Sequence, residues 1–447
     1  MAQKLNLALV VVRLSFAFVL LNCALQWRSP LFVTFGMQAL TALILLSLGL
    51  IAIEVAVWRR MRTGLLSVLC IATGLVAFAS LGTTVAREGQ FLTIRQQVLE
   101  ADPVQLERLG RHFIIGYRDP AEIRRLIERR AIAGVFVAAH NVWRKSAEQI
   151  RSEIDALQAI RQQQGLPPLL MVTDQEGGGV SRMSPPLHYF RTLADIVKHN
   201  RDEDVMLAAV RAFATDKGQG LAKLGFNLNF SPVVDLNHGI WNRYDLYTRI
   251  SERAISPDPR IITIVAREYC AGLRETGVRC TLKHFPGLGR VFEDTHIQNA
   301  NVNVPVETLS QTDWVPFREL MHQSGALTMI GHARIPEIDP KRPASSSPAV
   351  IADLLRGQWK HNGILVTDDL TMKAAVGAEG GLSVASVTAL NSGIDLILLA
   401  FDPDQYYVVM QALMQAEEKG ALRRDMLEIS DRRLSGAAIT AAVPEAR

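Results

Sequence analysis

Several proton-handling side chains lie close together in the segment KHFPGLGRVFEDTH, residues 283–296. Asp294 and His296 are two residues apart, so in an extended chain their side chains would point to the same side. The carboxylate could then hydrogen-bond the imidazole, fix its tautomer and stabilise its protonated form. A histidine supported in this way can give and take a proton near neutral pH. The alternative is a solvated Asp and His on a surface loop.

Two adjacent carboxylates, Asp368 and Asp369, follow an apolar stretch in LVTDDLTM. Successive side chains of a strand point to opposite faces, so only one of the two can face the interior of a site. Such a carboxylate can act as a nucleophile, a base or a metal ligand. The alternative is that both carboxylates cap the following helix.

Two further apolar stretches end in charged residues and then turn at glycines. Lys283 and His284 are followed by Pro-Gly, and Asp174 is followed by three glycines and Arg182 in DQEGGGVSRM. A glycine-rich turn can bind phosphate, but no GK[ST] follows and no GxGxxG opens a helix. A nucleotide site is therefore not supported.

The elements that must position these residues alternate between β-rich runs and amphipathic stretches. The β-rich runs predict eight strands: 111–117, 134–139, 169–174, 226–235, 279–285, 326–335, 363–369 and 395–400. Strands that alternate with helices imply parallel βαβ units, and eight of them predict a closed (β/α)8 barrel of the TIM type. A doubly wound open sheet is the alternative.

Polar residues gather at the carboxyl ends of the predicted strands, which favours the barrel. Barrel active sites are built at that end, while the strand interiors are filled by packed side chains. The residues in these positions are Asn141, Asp174, Asp235, Lys283, His284, His332, Asp368 and Asp369.

The first 88 residues differ in composition from the rest. They contain three apolar runs, each longer than the roughly 20 residues that cross a bilayer as a helix. The runs predict three transmembrane helices; a soluble, buried helical hairpin is the alternative. We divide the chain into a membrane segment, a helical linker and a catalytic domain, at residues 1–88, 89–110 and 111–447. The apolar runs cover 5–27, 31–58 and 63–86.

The distribution of charge predicts how the chain is oriented. The first 88 residues carry seven basic and two acidic residues, so the net charge of +4 arises there and a nucleic-acid-binding surface is not predicted. Arg59, Arg60 and Arg62 lie between the second and third runs, and positively charged loops stay in the cytoplasm. This orientation predicts a bacterial inner-membrane protein whose catalytic domain lies on the periplasmic or extracellular side. Arg13 and Glu54 interrupt the runs and are expected to snorkel or to face the helix bundle.

The four cysteines suggest neither a metal nor a redox site. Cys23 and Cys70 lie in the apolar runs, and no CxxC or His/Cys cluster with metal-binding spacing is present. Cys270 and Cys280 could form a disulfide if they lie outside the cytoplasm. We predict neither a metal nor another cofactor.

Several motifs, in their order and spacing, resemble those of glycoside hydrolase family 3, and specifically the NagZ-type β-N-acetylhexosaminidases. The resemblance covers about residues 106–400 and leaves out the membrane segment. Three differences stand out: Leu288 replaces the histidine usual in PGHG, Gly179 replaces the arginine usual in EGGR, and segment 238–256 is longer than usual. The motifs are DQEGGGVSRM, GFNLNFSPVVDL, KHFPGLGRVFEDTH, PASSS and GILVTDDLTM.

The resemblance implies a role for each candidate residue. Asp368 would be the nucleophile, His296 the general acid/base on a loop able to move, and Asp294 its orienting partner. The residues implied to bind the sugar are Asp174, Arg182, Arg253, Lys283 and His284.

These roles imply a retaining exo-β-N-acetylglucosaminidase that acts on peptidoglycan-derived or related GlcNAc-containing saccharides. The alternatives are a β-glucosidase or glycoside phosphorylase of the same family and a catalytically silent membrane receptor for cell-wall fragments. A metal-dependent barrel hydrolase is a further alternative, although the sequence contains neither HxH nor HExxH.

Overall fold

The computed structural model describes residues 2–29, 32, 36–60, 64–323, 325–377 and 380–440. Arg62, part of the predicted cytoplasmic loop, lies outside the described residues. The chain forms two compact units, Met1–Glu100 and Ala101–Arg447.

The N-terminal unit consists of long apolar helices: α1 (Ala2–Leu25), α2 (Gly36–Arg60) and α3 (Leu65–Leu99). By length and composition, three helices could cross a membrane, over Leu7–Leu25, Gly36–Arg60 and Leu65–Leu99. The third helix continues past the predicted apolar run, so the proposed boundary at residue 88 falls inside a helix.

Polar and charged side chains of this unit lie between its helices. Arg13 Nε donates to Glu54 Oε1 over 2.5 Å, and Ser47 Oγ lies 3.2 Å from Ser80 Oγ. Large apolar side chains such as Leu45 and Phe78 are exposed. The interior thus contains both polar and apolar side chains, whereas the exposed surface carries many large apolar groups, unlike that of a water-soluble bundle.

The second unit contains eight parallel strands in the order β6-β3-β2-β1-β10-β9-β8-β7. Isolated parallel bridges join Leu228 to Arg279 and Val233 to Lys283, linking the two ends of this order. The prediction of eight parallel strands in a barrel is confirmed, in the form of a nearly closed barrel. The strands are β1 (Phe113–Ile115), β2 (Gly134–Phe136), β3 (Leu170–Thr173), β6 (Leu228–Asn229), β7 (Thr281–Phe285), β8 (Leu327–Ile330), β9 (Leu365–Asp369) and β10 (Leu396–Leu399), and a separate antiparallel pair is formed by β4 (Gln175–Gly177) and β5 (Val180–Ser181).

The strands are shorter than predicted, and β6 differs most. Strand pairing was expected over 226–235, but the regular strand covers only Leu228–Asn229. Pro232 has no N–H to donate to a ladder, so the chain continues beside β7 through single bridges.

Apolar side chains fill the barrel interior, and helices surround it. The buried core includes Ile114, Phe136, Val172, Phe230 and Leu398. Three of the helices begin at an Asp-Pro pair, in which the carboxylate caps a backbone N–H and proline needs no partner. The helices are α4 (Pro103–Gly110), α5 (Pro120–Glu128), α6 (Ala139–Val142), α7 (Ala147–Gln163), α8 (Leu193–His199), α9 (Glu203–Leu224), α10 (Ile250–Arg253), α11 (Pro259–Glu275), α12 (Val306–Gln311), α13 (Val315–Gln323), α14 (Lys373–Val376), α15 (Gly381–Ser392), α16 (Gln405–Glu418) and α17 (Arg424–Thr440), with a 3-10 turn at Ala344–Ser346 and a π-type helix at Ala349–Gln358.

Cys270 of α11 and Cys280, which immediately precedes β7, form a disulfide with a Cα–Cα distance of 5.4 Å. The bond fixes α11 to the strand that carries Lys283 and His284. Cys23 and Cys70 are free thiols.

Candidate active site

A buried cluster of four charged side chains lies at the carboxyl ends of β3 and β7. Lys283 Nζ is 2.7 Å from Asp174 Oδ1 and 2.7 Å from Glu176 Oε1. Arg253 donates to both carboxylate oxygens of Glu176, from Nη2 at 2.6 Å and from Nε at 3.0 Å. Two cations thus balance two carboxylates, which is how charges are tolerated away from water.

The electrostatics of the cluster keep Glu176 ionised. Burial by itself raises the pKa of its carboxyl, but the adjacent charges and hydrogen bonds of Arg253 and Lys283 outweigh burial and hold the pKa well below its usual range. The same carboxylates raise the pKa of Lys283, against the opposing effect of burial. Glu176 and Lys283 therefore hold each other in their charged forms.

His284, next to this cluster, is held by a buried carboxylate. Its Nδ1 lies 2.8 Å from Asp235 Oδ2, and the same carboxylate accepts backbone N–H bonds from His284 and Leu288. Asp235 is fully buried. Because Nδ1 faces the carboxylate, Nε2 is directed to the other side, where it is 3.4 Å from Arg253 Nη2.

The turn after β7 brings the chain close to the segment that follows β6. A Cβ atom on Gly289 would lie only 1.8 Å from the carbonyl oxygen of Leu236, so only glycine fits there. Gly287 has a φ of 103°, which also favours glycine. The side chain of Leu288, which replaces the usual histidine, is buried.

Asp294 and His296 form a second pair, beyond that turn. Asp294 Oδ1 accepts from His296 N at 3.0 Å and lies 2.9 Å from His296 Nδ1, as their spacing predicts. Asp294 is 1% exposed, whereas the His296 side chain is 40% exposed. The imidazole is thus anchored at one nitrogen and open to solvent elsewhere.

The long segment 238–256 supplies the hydrogen bonds that hold Asp294 in place. Asp294 Oδ2 accepts backbone N–H bonds from Leu246 and Tyr247, each at 3.0 Å, and Asp294 Oδ1 accepts from Thr248 Oγ1 at 3.0 Å. Burial raises the pKa of the Asp294 carboxyl, but hydrogen bonds from His296 and Thr248 outweigh burial, and the pKa lies far below its usual value. Asp294 therefore remains a carboxylate facing the imidazole.

The loop that carries His296 is joined to the segment following β9. The His296 carbonyl accepts from Lys373 N at 3.0 Å, and the Thr295 carbonyl accepts from Ala374 N at 3.2 Å. These bonds dock the loop against the chain that follows Asp368. The expected mobility of the loop remains a prediction.

The carboxylates at the end of β9 differ in their surroundings. Asp369 accepts from Thr371 N, Thr371 Oγ1 and Phe401 N, so it organises the following turn. Asp368 accepts only from Asp369 N among the described residues and lies near the imidazoles of His284, His332 and His296. Burial raises the pKa of Asp368, but these imidazoles lower it below the ordinary value for an aspartate. The alternative in which both carboxylates cap a helix is therefore wrong for Asp368.

A family comparison connects this geometry with known proteins. Residues 93–436 match the glycosyl hydrolase family 3 N-terminal domain. The chain belongs to glycosyl hydrolase family 3. It is therefore a glycoside hydrolase.

Individual members of family 3 resemble the chain over most of its second unit. A β-hexosaminidase from Xanthomonas oryzae pv. oryzae is 33% identical over 287 residues, which is 64% of this chain and 81% of that protein. The structure of a family 3 β-N-acetylglucosaminidase from Paenibacillus sp. str. FPU-7 matches with a TM-score of 0.68 and 27% identity, over 76% of this chain; our chain spans 64% of that protein. The structure of a family 3 member from Mycobacterium smegmatis matches with a TM-score of 0.66 and 26% identity, over 76% of this chain and 98% of that one.

The structure gathers most, but not all, of the residues predicted for this family 3 site. Seven of them lie in the two His–Asp pairs, the charged cluster or at the end of β9. Arg182 does not join them: its side chain is exposed and makes no hydrogen bond or ion pair with the part of the chain that the structure describes. Its backbone N–H donates to the Asp174 carbonyl at 3.1 Å, which keeps the residue beside β3.

Sequence reasoning missed Glu176 and gave no role to His332, although it placed His332 at the end of a predicted strand. Glu176 joins Lys283 to Arg253, and the signal for it was its position two residues after Asp174. His332 is buried: its Nδ1 lies 2.7 Å from Ser345 Oγ, its Nε2 lies 3.0 Å from the Asp369 carbonyl oxygen, and burial lowers its pKa.

Within the described ranges, no group of three or more His, Cys, Asp or Glu residues could hold a metal ion.

Proposed function

We propose that the protein is a retaining exo-β-N-acetylglucosaminidase with Asp368 as nucleophile and His296 as general acid/base. The observation that carries this proposal is the docking of the Asp294–His296 pair onto the chain that follows Asp368. The named activities of the Xanthomonas and Paenibacillus relatives support the choice of sugar.

In the first step, an Asp368 oxygen attacks the anomeric carbon while the bond to the leaving-group oxygen breaks. Protonated His296 gives its proton to that oxygen, so the leaving group departs as a neutral alcohol. The product of this step is a covalent glycosyl-enzyme ester. The low pKa of Asp368 suits the role, because the carboxylate is ionised at neutral pH.

In the second step, neutral His296 takes a proton from water as the water oxygen attacks the anomeric carbon. The ester bond to Asp368 breaks, the sugar is released with its configuration retained, and His296 is again protonated. Asp294 stabilises the imidazolium in both steps and fixes the tautomer through Nδ1.

The charged cluster is assigned to binding the terminal sugar. Asp174, Arg253 and Lys283 of this cluster, and neighbouring His284, have side chains that are already held in place by contacts with one another. Charged groups held in place in this way can bind sugar hydroxyls without first being ordered. Exposed Arg182 would have to approach the bound sugar from outside the cluster.

We further propose that residues 1–88 anchor the enzyme in the bacterial inner membrane and that residues 89–110 link this segment to a catalytic domain over 111–447. The three apolar helices and the large apolar side chains exposed on them support the anchor. The Cys270–Cys280 disulfide supports a catalytic domain outside the cytoplasm, where disulfides persist. Such a location would give access to peptidoglycan-derived saccharides that carry terminal GlcNAc.

The test is to trap the intermediate on the full-length protein in detergent. A 5-fluorinated GlcNAc donor should slow release of the sugar and leave a glycosyl mass on the peptide that contains Asp368. An adduct on another residue would overturn the nucleophile assignment. Rates on aryl β-GlcNAc and aryl β-glucoside, with and without phosphate, separate the proposed activity from a β-glucosidase or a phosphorylase.

A further inference from the structure

A group of four exposed aromatic side chains lies on segment 238–256 and on the loop that carries His296. We call it the aromatic rim: Trp241, Tyr244, Tyr247 and Phe292, whose exposed fractions range from 56% to 68%. Three of the four belong to segment 238–256, which is longer than usual in the family. Large apolar groups exposed together on a soluble unit mark a binding surface.

The backbone beneath the rim is held in place by hydrogen bonds. Tyr247 N donates to Asp294 Oδ2 at 3.0 Å, and Tyr244 N donates to Asn242 Oδ1 at 2.9 Å. Asn242 Nδ2 donates to the Phe292 carbonyl at 2.8 Å, which joins the two segments of the rim. The rings are thus exposed although their backbone is ordered, an arrangement that suits binding.

The rim is continuous with the proposed catalytic pair. The rings of Tyr247 and His296 have centroids 5.3 Å apart, within the range of direct aromatic contact. His296 is half-exposed, whereas Lys283 and His284 are buried. The buried charged cluster offers charged groups that can bind sugar hydroxyls. The exposed aromatic rim offers the faces of aromatic rings.

We propose that the aromatic rim binds the sugar on the leaving-group side of the bond that is broken. This inference rests on the proposed function, in which His296 protonates the oxygen between the terminal GlcNAc and the leaving group. The terminal sugar occupies the buried charged cluster, so a group that packs on the outer side of His296 faces the leaving group. The ligand is therefore a saccharide unit next to the terminal GlcNAc.

The chemistry of the rim fits a pyranose ring. One face of a pyranose exposes C–H groups, which pack against an aromatic ring, while hydroxyl groups around its edge stay in water. The same segment lines an open cavity of about 230 Å³, with Trp241 and Leu246 among its lining residues. Pockets for whole ligands usually measure about 300–1,000 Å³, so this cavity suits one part of a larger substrate.

The experiment compares two GlcNAc β-glycosides that both need an acid catalyst but differ in the leaving group. One is the β-1,4-linked GlcNAc disaccharide, and the other is methyl β-GlcNAc, which has no second sugar. The quantity measured is the ratio of kcat/KM for the disaccharide to kcat/KM for the methyl glycoside, in full-length protein in detergent. The variants are Tyr247→Ala and Trp241→Ala, with Tyr247→Phe and Trp143→Ala as controls. Trp143 is as exposed as Trp241 but follows β2.

We expect each alanine variant of the rim to lower this ratio about three- to tenfold, the size of one lost stacking contact. Tyr247→Phe keeps the ring and should retain the ratio, as should Trp143→Ala. An unchanged ratio in both rim variants would overturn the inference while leaving the proposed function intact. If the wild-type protein hydrolyses neither substrate, the proposed function fails, and the inference fails with it.

Discussion

Two histidine–aspartate pairs flank Asp368, and they differ mainly in burial. In the first, His284 and Asp235 are both buried; His284 lies on β7 and Asp235 on the segment that follows β6. In the second, Asp294 is equally buried, but the His296 side chain is 40% exposed and lies on a loop. The imidazole of His284 is thus enclosed, whereas the imidazole of His296 is open to solvent. A buried imidazole suits a fixed sugar contact, whereas an exposed one can exchange protons with a leaving group and with water.

The largest expected effect comes from removing the carboxylate that both pairs face. Asp368→Asn should lower kcat at least about 10⁴-fold, because neither histidine can replace the nucleophile. Asp369→Asn is the matched control, since Asp369 binds Thr371 and Phe401 N–H groups instead. Steady-state kinetics on aryl β-GlcNAc would measure both, and equal losses in the two variants would contradict the assignment.

The two orienting carboxylates should differ when each is changed to asparagine. Asp294→Asn should lower kcat about 10²- to 10⁴-fold, because an amide neither stabilises an imidazolium nor fixes the same tautomer. Asp235→Asn should mainly raise KM, since it loosens His284, which we propose to contact the sugar. Both parameters, measured for each variant, test the division of roles. A loss of kcat with unchanged KM in Asp235→Asn would contradict the proposed division of roles between Asp294 and Asp235.

A smaller effect is expected from the hydroxyl group that supports only the exposed pair. Thr248 Oγ1 donates to Asp294 Oδ1 and lies 3.3 Å from His296 Nδ1. Thr248→Val should lower kcat about fivefold, with KM nearly unchanged, because one hydrogen bond contributes about 1 kcal/mol. Thr248→Ser keeps the hydroxyl and should restore most of the activity. If kcat of Thr248→Ser is as low as that of Thr248→Val, packing rather than hydrogen bonding matters at this position.

A further effect is expected on the pH dependence of stability rather than on turnover. The folded-state pKa of Asp294 lies below the value of about 3.9 in the unfolded chain, so its contacts stabilise the fold above about pH 4. This contribution is lost as the pH falls from about 4 towards the folded-state pKa. Urea unfolding of wild type and Asp294→Asn should differ by about 1–3 kcal/mol at pH 7 and by less at pH 3. A difference that grows on acidification would contradict the pairing.

The parts of the site that lie within one motif could be predicted from sequence. The Asp294–His296 contact follows from a spacing of two, and the contrast between Asp368 and Asp369 follows from strand alternation. The barrel follows from eight β-rich runs, each a local signal. The lengths of the strands did not follow, since single bridges replace regular pairing after β6.

Contacts between distant segments could not be predicted. Thr248 reaches Asp294 across 46 residues and Arg253 reaches Glu176 across 77, and both of these depend on the path of segment 238–256. That path is fixed by tertiary contacts such as His238 Nε2 to Asp313 Oδ1 at 2.9 Å. No periodicity or motif in the segment indicates these partners.

The most direct test of the difference between the two histidines uses the variants His296→Ala and His284→Ala. It asks how strongly the rate loss in each variant depends on the leaving group of the substrate. Rates of glycosyl-enzyme formation would be compared for 2,4-dinitrophenyl β-GlcNAc, which needs no acid catalyst, and methyl β-GlcNAc, which does. His296→Ala should lose about 10²- to 10⁴-fold on the methyl glycoside and little on the dinitrophenyl glycoside. His284→Ala should lose similar factors on both. Equal losses on both substrates in His296→Ala would contradict its role as the acid.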